Sequence, residues 1–266
     1  MGDRERLVIE ISNLRPWSFS KVQKAKKCQY EFFFRYVEKL EPLSKADFLV
    51  LGSAVHFVLE NALNRVFKEG APLRKDHLFL FAEKFKEEEP LTDLKKVEEF
   101  FPNIIKFVNA QLRKAKGSSL VSSEMELAVD SSFNLVPYSC DSVFMRGKLD
   151  FLFEKEGTLF IVDHKTSRSW EFNNKIKTQL RWYALLASVK YPQFKRFALE
   201  VHNVRYGTIK RIIFSKRELQ AFKGKLLYHI NLVERELKDK SFDQLTPSPS
   251  EANCRWCEYR HICPLI

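Results

Sequence analysis

Leu159-Phe160-Ile161-Val162 runs four apolar residues in a row and then, with no turn residue between, delivers Asp163, His164 and Lys165. A near-continuous apolar run of strand length is expected of a strand covered on both faces, where charged side chains are rare unless they are paired or hold a metal. A lone acid-x-lysine triplet is more often a solvated strand end. Here the apolar run in front of it argues for burial, and a chain that buries a strand on both faces needs a sheet with helices packed against it.

The rest of the chain supplies those elements. From "SFSKVQKAKKCQYEFFFRYVEKL" to "ADFLVLGSAVHFVLENALNRVFKEG" apolar residues recur at helical spacing, with Ser18 or Ser20 as N-cap and Gly70 as a stop. After Gly117 the pattern shifts to near-alternation in "SLVSSEMELAV", "SVFMRGKLDFLFEK" and "GTLFIVDHKTS", the last two separated by a turn at Glu156-Gly157. A helix in "NNKIKTQLRWYALLASVKY", strands in "RFALEVHNVRY" and "TIKRIIFS", and a long helix from about Lys216 to Lys238 follow. The expected fold is α/β: a central mixed sheet flanked by helices, with a helical region over residues 1–116, a core over 117–240, and a Ser- and Pro-broken linker with a cysteine cluster over 241–266. No internal repeat or low-complexity tract is present.

Lys and Arg outnumber Asp and Glu by 45 to 34, a net charge of +11 that favours polyanionic partners such as nucleic acid. Basic residues cluster in "KVQKAKK", "RKAK", "NNKIKTQLRW" and "KRELQAFKGK", and Trp170, Phe172, Trp182 and Tyr183 lie near some of them as candidate stacking platforms for unpaired bases. No base-reading motif is present, so little sequence preference is expected. There is no phosphate loop of the G-x-x-x-x-G-K-[ST] type, nor room for a helicase motor. The start "MGDRERLVIE" lacks a secretory signal pattern and no apolar run reaches membrane-spanning length, so a soluble cytoplasmic protein without membrane association is expected.

Asp163 and Lys165 are two apart, so on a strand their side chains share a face. One strand earlier, Asp150 interrupts the apolar stretch "GKLDFLFE". Two carboxylates and an ammonium on adjoining strands can converge where the carboxylates hold a hard divalent cation through oxygen. Such a cation activates water and offsets charge on a phosphoryl oxygen, with Lys165 orienting the nucleophile or balancing charge, which is the chemistry of phosphodiester hydrolysis. Glu60, one turn after His56, and Glu126, in the preceding strand, are further carboxylates for which a solvated or structural role is the first expectation. Five cysteines, three of them in Cys254-x2-Cys257-x5-Cys263, suit a reducing compartment and a metal site; a tetrahedral site wants a fourth thiolate, and Cys28 and Cys140 both remain.

In order, these residues resemble the PD-(D/E)XK nuclease superfamily, in the branch similar to RecB-type exonucleases. The pattern is G-x-x-x-H in "LGSAVHFVLE" with Gly52 and His56, G-x-x-D in "GKLD" with Asp150, D/E-x-K in "DHK" with Asp163 and Lys165, and Q-x-x-x-Y in "QLRWY" with Gln179 and Tyr183. The resemblance implies a restriction-endonuclease-like fold and Mn or Mg held by His56, Asp150, Asp163 and the main-chain carbonyl of His164. It further implies catalysis by Asp150, Asp163 and Lys165, with Gln179 and Tyr183 steadying the site or the substrate. Lys148-Leu149 stand where the superfamily's name has Pro, and Asp163 takes the position that is often Glu, which leaves the oxygen ligands in place.

"CQYEFFFRY" resembles the cysteine-led start of iron-sulfur members of this branch, with Gln29 in place of a proline. The resemblance therefore implies a 4Fe-4S cluster on Cys28, Cys254, Cys257 and Cys263, acting as a clasp that pins the C-terminal segment, although four thiolates also suit zinc. Closing a loop that long is worth roughly 5 kcal/mol in the chain-entropy model, and Cys140 becomes the spare thiol. The expected function is a metal-dependent DNA exonuclease acting on single strands or DNA ends. A stand-alone chain of this size is similar to CRISPR-associated nucleases that trim DNA before spacer integration, and to phage or repair exonucleases, so adaptation or recombination proteins are the expected partners. The rival is a non-catalytic DNA-binding scaffold that keeps the shell and a structural metal.

Overall fold

The computed structural model describes residues 8–42, 47–168 and 171–266. Met1 to Leu7, read above for targeting, and Trp170 lie outside the described residues. The helices are α1 (Ile11–Leu14), α2 (Phe19–Lys27), α3 (Gln29–Tyr36), α4 (Asp47–Glu69), α5 (Lys75–Glu88), α6 (Leu94–Glu98), α7 (Phe101–Lys114), α8 (Asn174–Lys190), α9 (Lys216–Leu237) and α10 (Glu251–Cys254). The strands are β1 (Val121–Val129), β2 (Met145–Lys155), β3 (Thr158–Lys165), β4 (Arg196–Asn203) and β5 (Thr208–Ser215), in the sheet order β1-β2-β3-β4-β5. β2 and β3 pair antiparallel, β3 and β4 parallel, β4 and β5 antiparallel, so the sheet is mixed. The parallel pair needs a crossover, and α8 supplies it.

Local chemistry explains the boundaries. Of the two serines, Ser18 is the cap: its side chain accepts the backbone N–H of Lys21 at 3.3 Å. The first helical stretch divides at Cys28, whose extended φ of −162° and ψ of 119° end α2 and begin α3. Phe32, Phe33 and Phe34 of α3 are all buried, and three adjacent positions wrap around more than half of a helix, so the break lets α3 be covered on several sides at once. α4 stops where Gly70 takes a φ of 66° and donates its N–H to the carbonyl of Val66 at 2.9 Å. The β2–β3 hairpin turns on Glu156 and Gly157, both at positive φ (52° and 70°), the geometry whose twist matches a two-residue hairpin loop.

The chain forms two compact units, neither continuous in sequence: residues 1–45, 128–147 and 220–266 make one, residues 46–127 and 148–219 the other. In the second, Val55, Val58 and Leu59 of α4, Ile104, Phe107 and Val108 of α7, and Phe151, Phe153 and Val162 of the sheet share one core. β3 alternates as its apolar run requires. Phe160 and Val162 point into that core, whereas Leu159 and Ile161 point the opposite way, toward the face on which α8 packs against β3 and β4. In the first unit Trp17 stacks on Phe32 at 6.3 Å and donates its indole N–H to Glu234 at 2.8 Å. Tyr259, 1% exposed, packs on Phe34 at 5.8 Å and donates its hydroxyl to the carbonyl of Leu40 at 2.8 Å. No helix among the described residues is long and apolar enough to cross a membrane.

Two glycines test this account with opposite signs. A Cβ at Gly157 meets no atom within 4 Å, so Gly157→Ala isolates the left-handed backbone cost and lowers stability by about 1 kcal/mol. Gly224, inside α9 and equally open, carries no such constraint, and Gly224→Ala raises stability by about 0.5–1 kcal/mol in urea unfolding.

Candidate active site

Alternation along β3 splits the Asp163-His164-Lys165 triplet between two environments. Asp163 and Lys165 share the face toward α8: Lys165 Nζ stands 2.8 Å from Asp163 Oδ2 and donates to Gln179 Oε1 at 3.0 Å, and Gln179 Nε2 donates to the Tyr183 hydroxyl at 2.9 Å. His164 points the other way, its Nε2 3.4 Å from Gln111 Nε2 of α7. Phe151 pairs with Val162, so Asp150 and Asp163 come next along the β2–β3 ladder. Asp150 Oδ2 accepts the backbone N–H of His164 at 2.7 Å and lies 3.5 Å from His164 Nδ1 and 3.8 Å from His56 Nδ1. The expected residues His56, Asp150, Asp163, His164, Lys165, Gln179 and Tyr183 are thus brought together in one unit.

The electrostatics follow from burial. Burial alone would raise the Asp150 carboxyl, but the His164 hydrogen bonds and the charges of His56 and His164 outweigh it and hold Asp150 well below the usual carboxylate range. Burial pushes Asp163 up, opposed by Lys165 and reinforced by the negative charge of Asp150. Lys165, against its burial, is held ionised by Asp163 and Asp150. Asp163 is 3% exposed, and its Oδ2 is paired with the Lys165 ammonium at 2.8 Å. Two carboxylates drawn together beside a single ammonium form a donor set of the oxygen type suited to a hard divalent cation. As they stand, no group of three or more His, Cys, Asp or Glu among the described residues is arranged to hold a metal ion.

Several neighbours of this site were not expected from sequence. Glu124, rather than Glu126, faces it: it sits in β1 at a left-handed φ of 48° and pairs with Lys148 at 2.7 Å, while Glu126 is exposed. Burial raises the Glu124 carboxyl, against Lys148, and the nearby charges of Asp150 and Glu60 add to it. On the His164 side lies a buried polar group. His202 pairs with His164 in the β3–β4 register, its ring edge-on to His164 at 5.5 Å, and its Nε2 is 2.8 Å from Glu200 Oε2. Glu200, fully buried, also receives Arg211 Nε at 2.8 Å and Lys114 Nζ at 3.3 Å. The signal for this pair was present in "FALEVHN", where charge interrupts an apolar strand just as it does before Asp163. Glu124 left no such signal, because its position depends on one residue adopting an unusual backbone conformation.

One other expectation is corrected. Trp182 is fully buried, so it is a core residue and offers no face to a base; Phe172 and Tyr183 are half-buried. In the other unit, Cys28, Cys254, Cys257 and Cys263 are free thiols that line one small cavity, while Cys140 is exposed. The C-terminal segment is also held there by contacts that need no metal: Arg35 Nη1 lies 2.6 Å from Glu258, Thr246 donates its N–H to Gln29 at 2.8 Å, and Tyr259 is packed as above.

The buried Glu200–His202 pair makes stability depend on pH. Burial lowers His202 to about 4, so from the unfolded value of 6.5 downward the unfolded chain takes up a proton that the folded chain refuses, and stability falls as pH drops through that window. Glu200, which burial would raise, is held at about 2 by His202, Lys114 and Arg211; its contribution is complete above its ordinary value of 4.5 and is lost as pH falls from there toward 2. Urea midpoints of wild type decline from pH 6.5 to pH 4, and His202→Gln flattens that decline.

A family profile for the PD-(D/E)XK nuclease superfamily matches residues 16–264. Among solved structures, that of a Eubacterium rectale protein provisionally described as an exonuclease superposes with a TM-score of 0.56 at 14% identity, covering 96% of this chain and 91% of that one. The structure of SSO0001 aligns with a TM-score of 0.34 at 16% identity, over 79% of this chain and 84% of that one, too loosely to bear on the fold. No curated protein matches in sequence. With its acid, acid and lysine gathered at one end of a mixed sheet, and nearly its whole length matched, the chain belongs to the PD-(D/E)XK nuclease superfamily.

Proposed function

We propose that this chain is a divalent-metal-dependent DNA nuclease that hydrolyses phosphodiester bonds, an exonuclease acting on single strands or free ends in repair, recombination or CRISPR spacer processing. The observation that carries the reading is buried Asp163 beside half-buried Asp150, with Lys165 as their ammonium. His56, Asp150, Asp163 and the carbonyl of His164 would hold Mn or Mg. Such a cation supplies Lewis-acid polarisation of the phosphate and of the attacking water. Lys165 lies between Asp163 and Gln179, where it can offset negative charge or orient the nucleophile. Tyr183, through Gln179, limits the ways the Lys165 ammonium can turn. Wild type degrades single-stranded DNA in Mn or Mg and is silent in EDTA, and Asp150→Ala, Asp163→Ala and Lys165→Ala each lower the rate by at least about 100-fold. Full activity in all three would exclude the assignment, and DNA binding without cleavage in any divalent metal would favour a scaffold.

The four cysteines of the other unit are read as ligands of a 4Fe-4S cluster, with zinc as the alternative occupant; their shared cavity supports a thiolate site of either kind. Protein prepared without air is expected to be brown, with broad visible absorbance that Cys254→Ser abolishes. Colourless protein carrying stoichiometric zinc would overturn the cluster and leave the nuclease reading in place.

A further inference from the structure

His56, Glu60 and Asn64 follow one another at four-residue spacing, so they form a single stripe along α4. Its first member stands beside Asp150, its second acts electrostatically on Glu124 and Lys148, and its third accepts a hydrogen bond from Ser123 of β1. The stripe therefore runs beside the sheet from the carboxylate site, and Asn64 lies about 12 Å of helix rise beyond His56. There it reaches a groove of about 830 Å³ bounded by α4, the end of α7 and the start of β1. This volume is within the range of ligand sites.

The lining of the groove differs in kind from the site. The residues lining the groove include Arg113 and Lys116, three serines and no carboxylate, with half-buried Phe67 as its aromatic face. Neither cation is paired with a carboxylate among the described residues, and both are exposed. Cations and hydroxyls at the rim with an apolar floor suit a ligand that is anionic on one side and flat and apolar on the other, which is the character of a nucleotide in an unpaired strand.

We propose that this groove holds an unpaired nucleotide of the strand being cut, a few nucleotides from the scissile phosphate, with its base against half-buried Phe67 and its phosphates at Arg113 and Lys116. The inference rests on the nuclease reading and adds to it a subsite outside the acid-lysine motif. Engagement of the groove makes binding depend on substrate length.

Binding and cleavage of thymidine oligomers from about 3 to about 12 nucleotides would be compared among full-length wild type, the Arg113→Glu/Lys116→Glu double variant, and Ser122→Trp, which fills the groove without altering charge. A control, Lys84→Glu/Lys86→Glu, makes the same charge change at exposed positions on α5. The expected result is equal handling of the shortest oligomers by all four, with about tenfold weaker binding of the longer ones by both groove variants. The log–log salt slope on the longer oligomers falls by about 1.4 for the double variant only, from two lost phosphate contacts. Unchanged length dependence and slope in groove variants that fold as wild type does, beside a cleaving wild type, overturns the subsite alone. So does an equal loss in the α5 control, which makes the effect one of net charge. A wild type that neither binds nor cuts any oligomer overturns the nuclease reading itself.

Discussion

Two carboxylates, Asp150 and Asp163, share one corner of a sheet with a single ammonium, and the surrounding arrangement answers that imbalance. Their ionised forms are costly to bury together, which is why Asp163 is pushed up while Asp150 is held down by His164 and His56. Lys165 offsets one charge. The remaining excess of negative charge makes the corner a donor set of the kind that suits a hard cation.

The sheet makes this corner rigid. β3 is covered on one side by α8 and on the other by the α4–α7 core, so its residues have no freedom to turn. One strand thereby serves two environments: Asp163 and Lys165 face the polar residues of α8, and His164 faces Gln111, with His202 and Glu200 beyond it. The buried Glu200 group is satisfied by three partners, as an internal charge requires. It braces the strand pair that carries the site from the side away from Lys165.

The other unit rests on different physics. Aromatic packing about Phe32, Phe33, Phe34 and Tyr259, with the indole hydrogen bond to Glu234, orders it, and its buried Glu31 is held by Lys24 and Lys27. The C-terminal segment is fastened there by Tyr259, Thr246 and Glu258, so a cluster would add to contacts already made. The segment for which the resemblance implied a cysteine clasp thus has fastenings that the cysteines did not disclose.

Much of the fold was legible because alternation and helical spacing report how each side chain projects from its own backbone. That was enough for the strands, the Glu156-Gly157 turn, the buried run before Asp163, and the acid-lysine motif whose members the structure gathers. The break at Cys28, the burial of Trp182, the left-handed Glu124, the Glu200–His202 pair behind the site and the basic groove beside α4 were decided only in three dimensions. Each depends on which residues of distant segments meet. That is set by strand register and helix packing, to which local periodicity carries no reference.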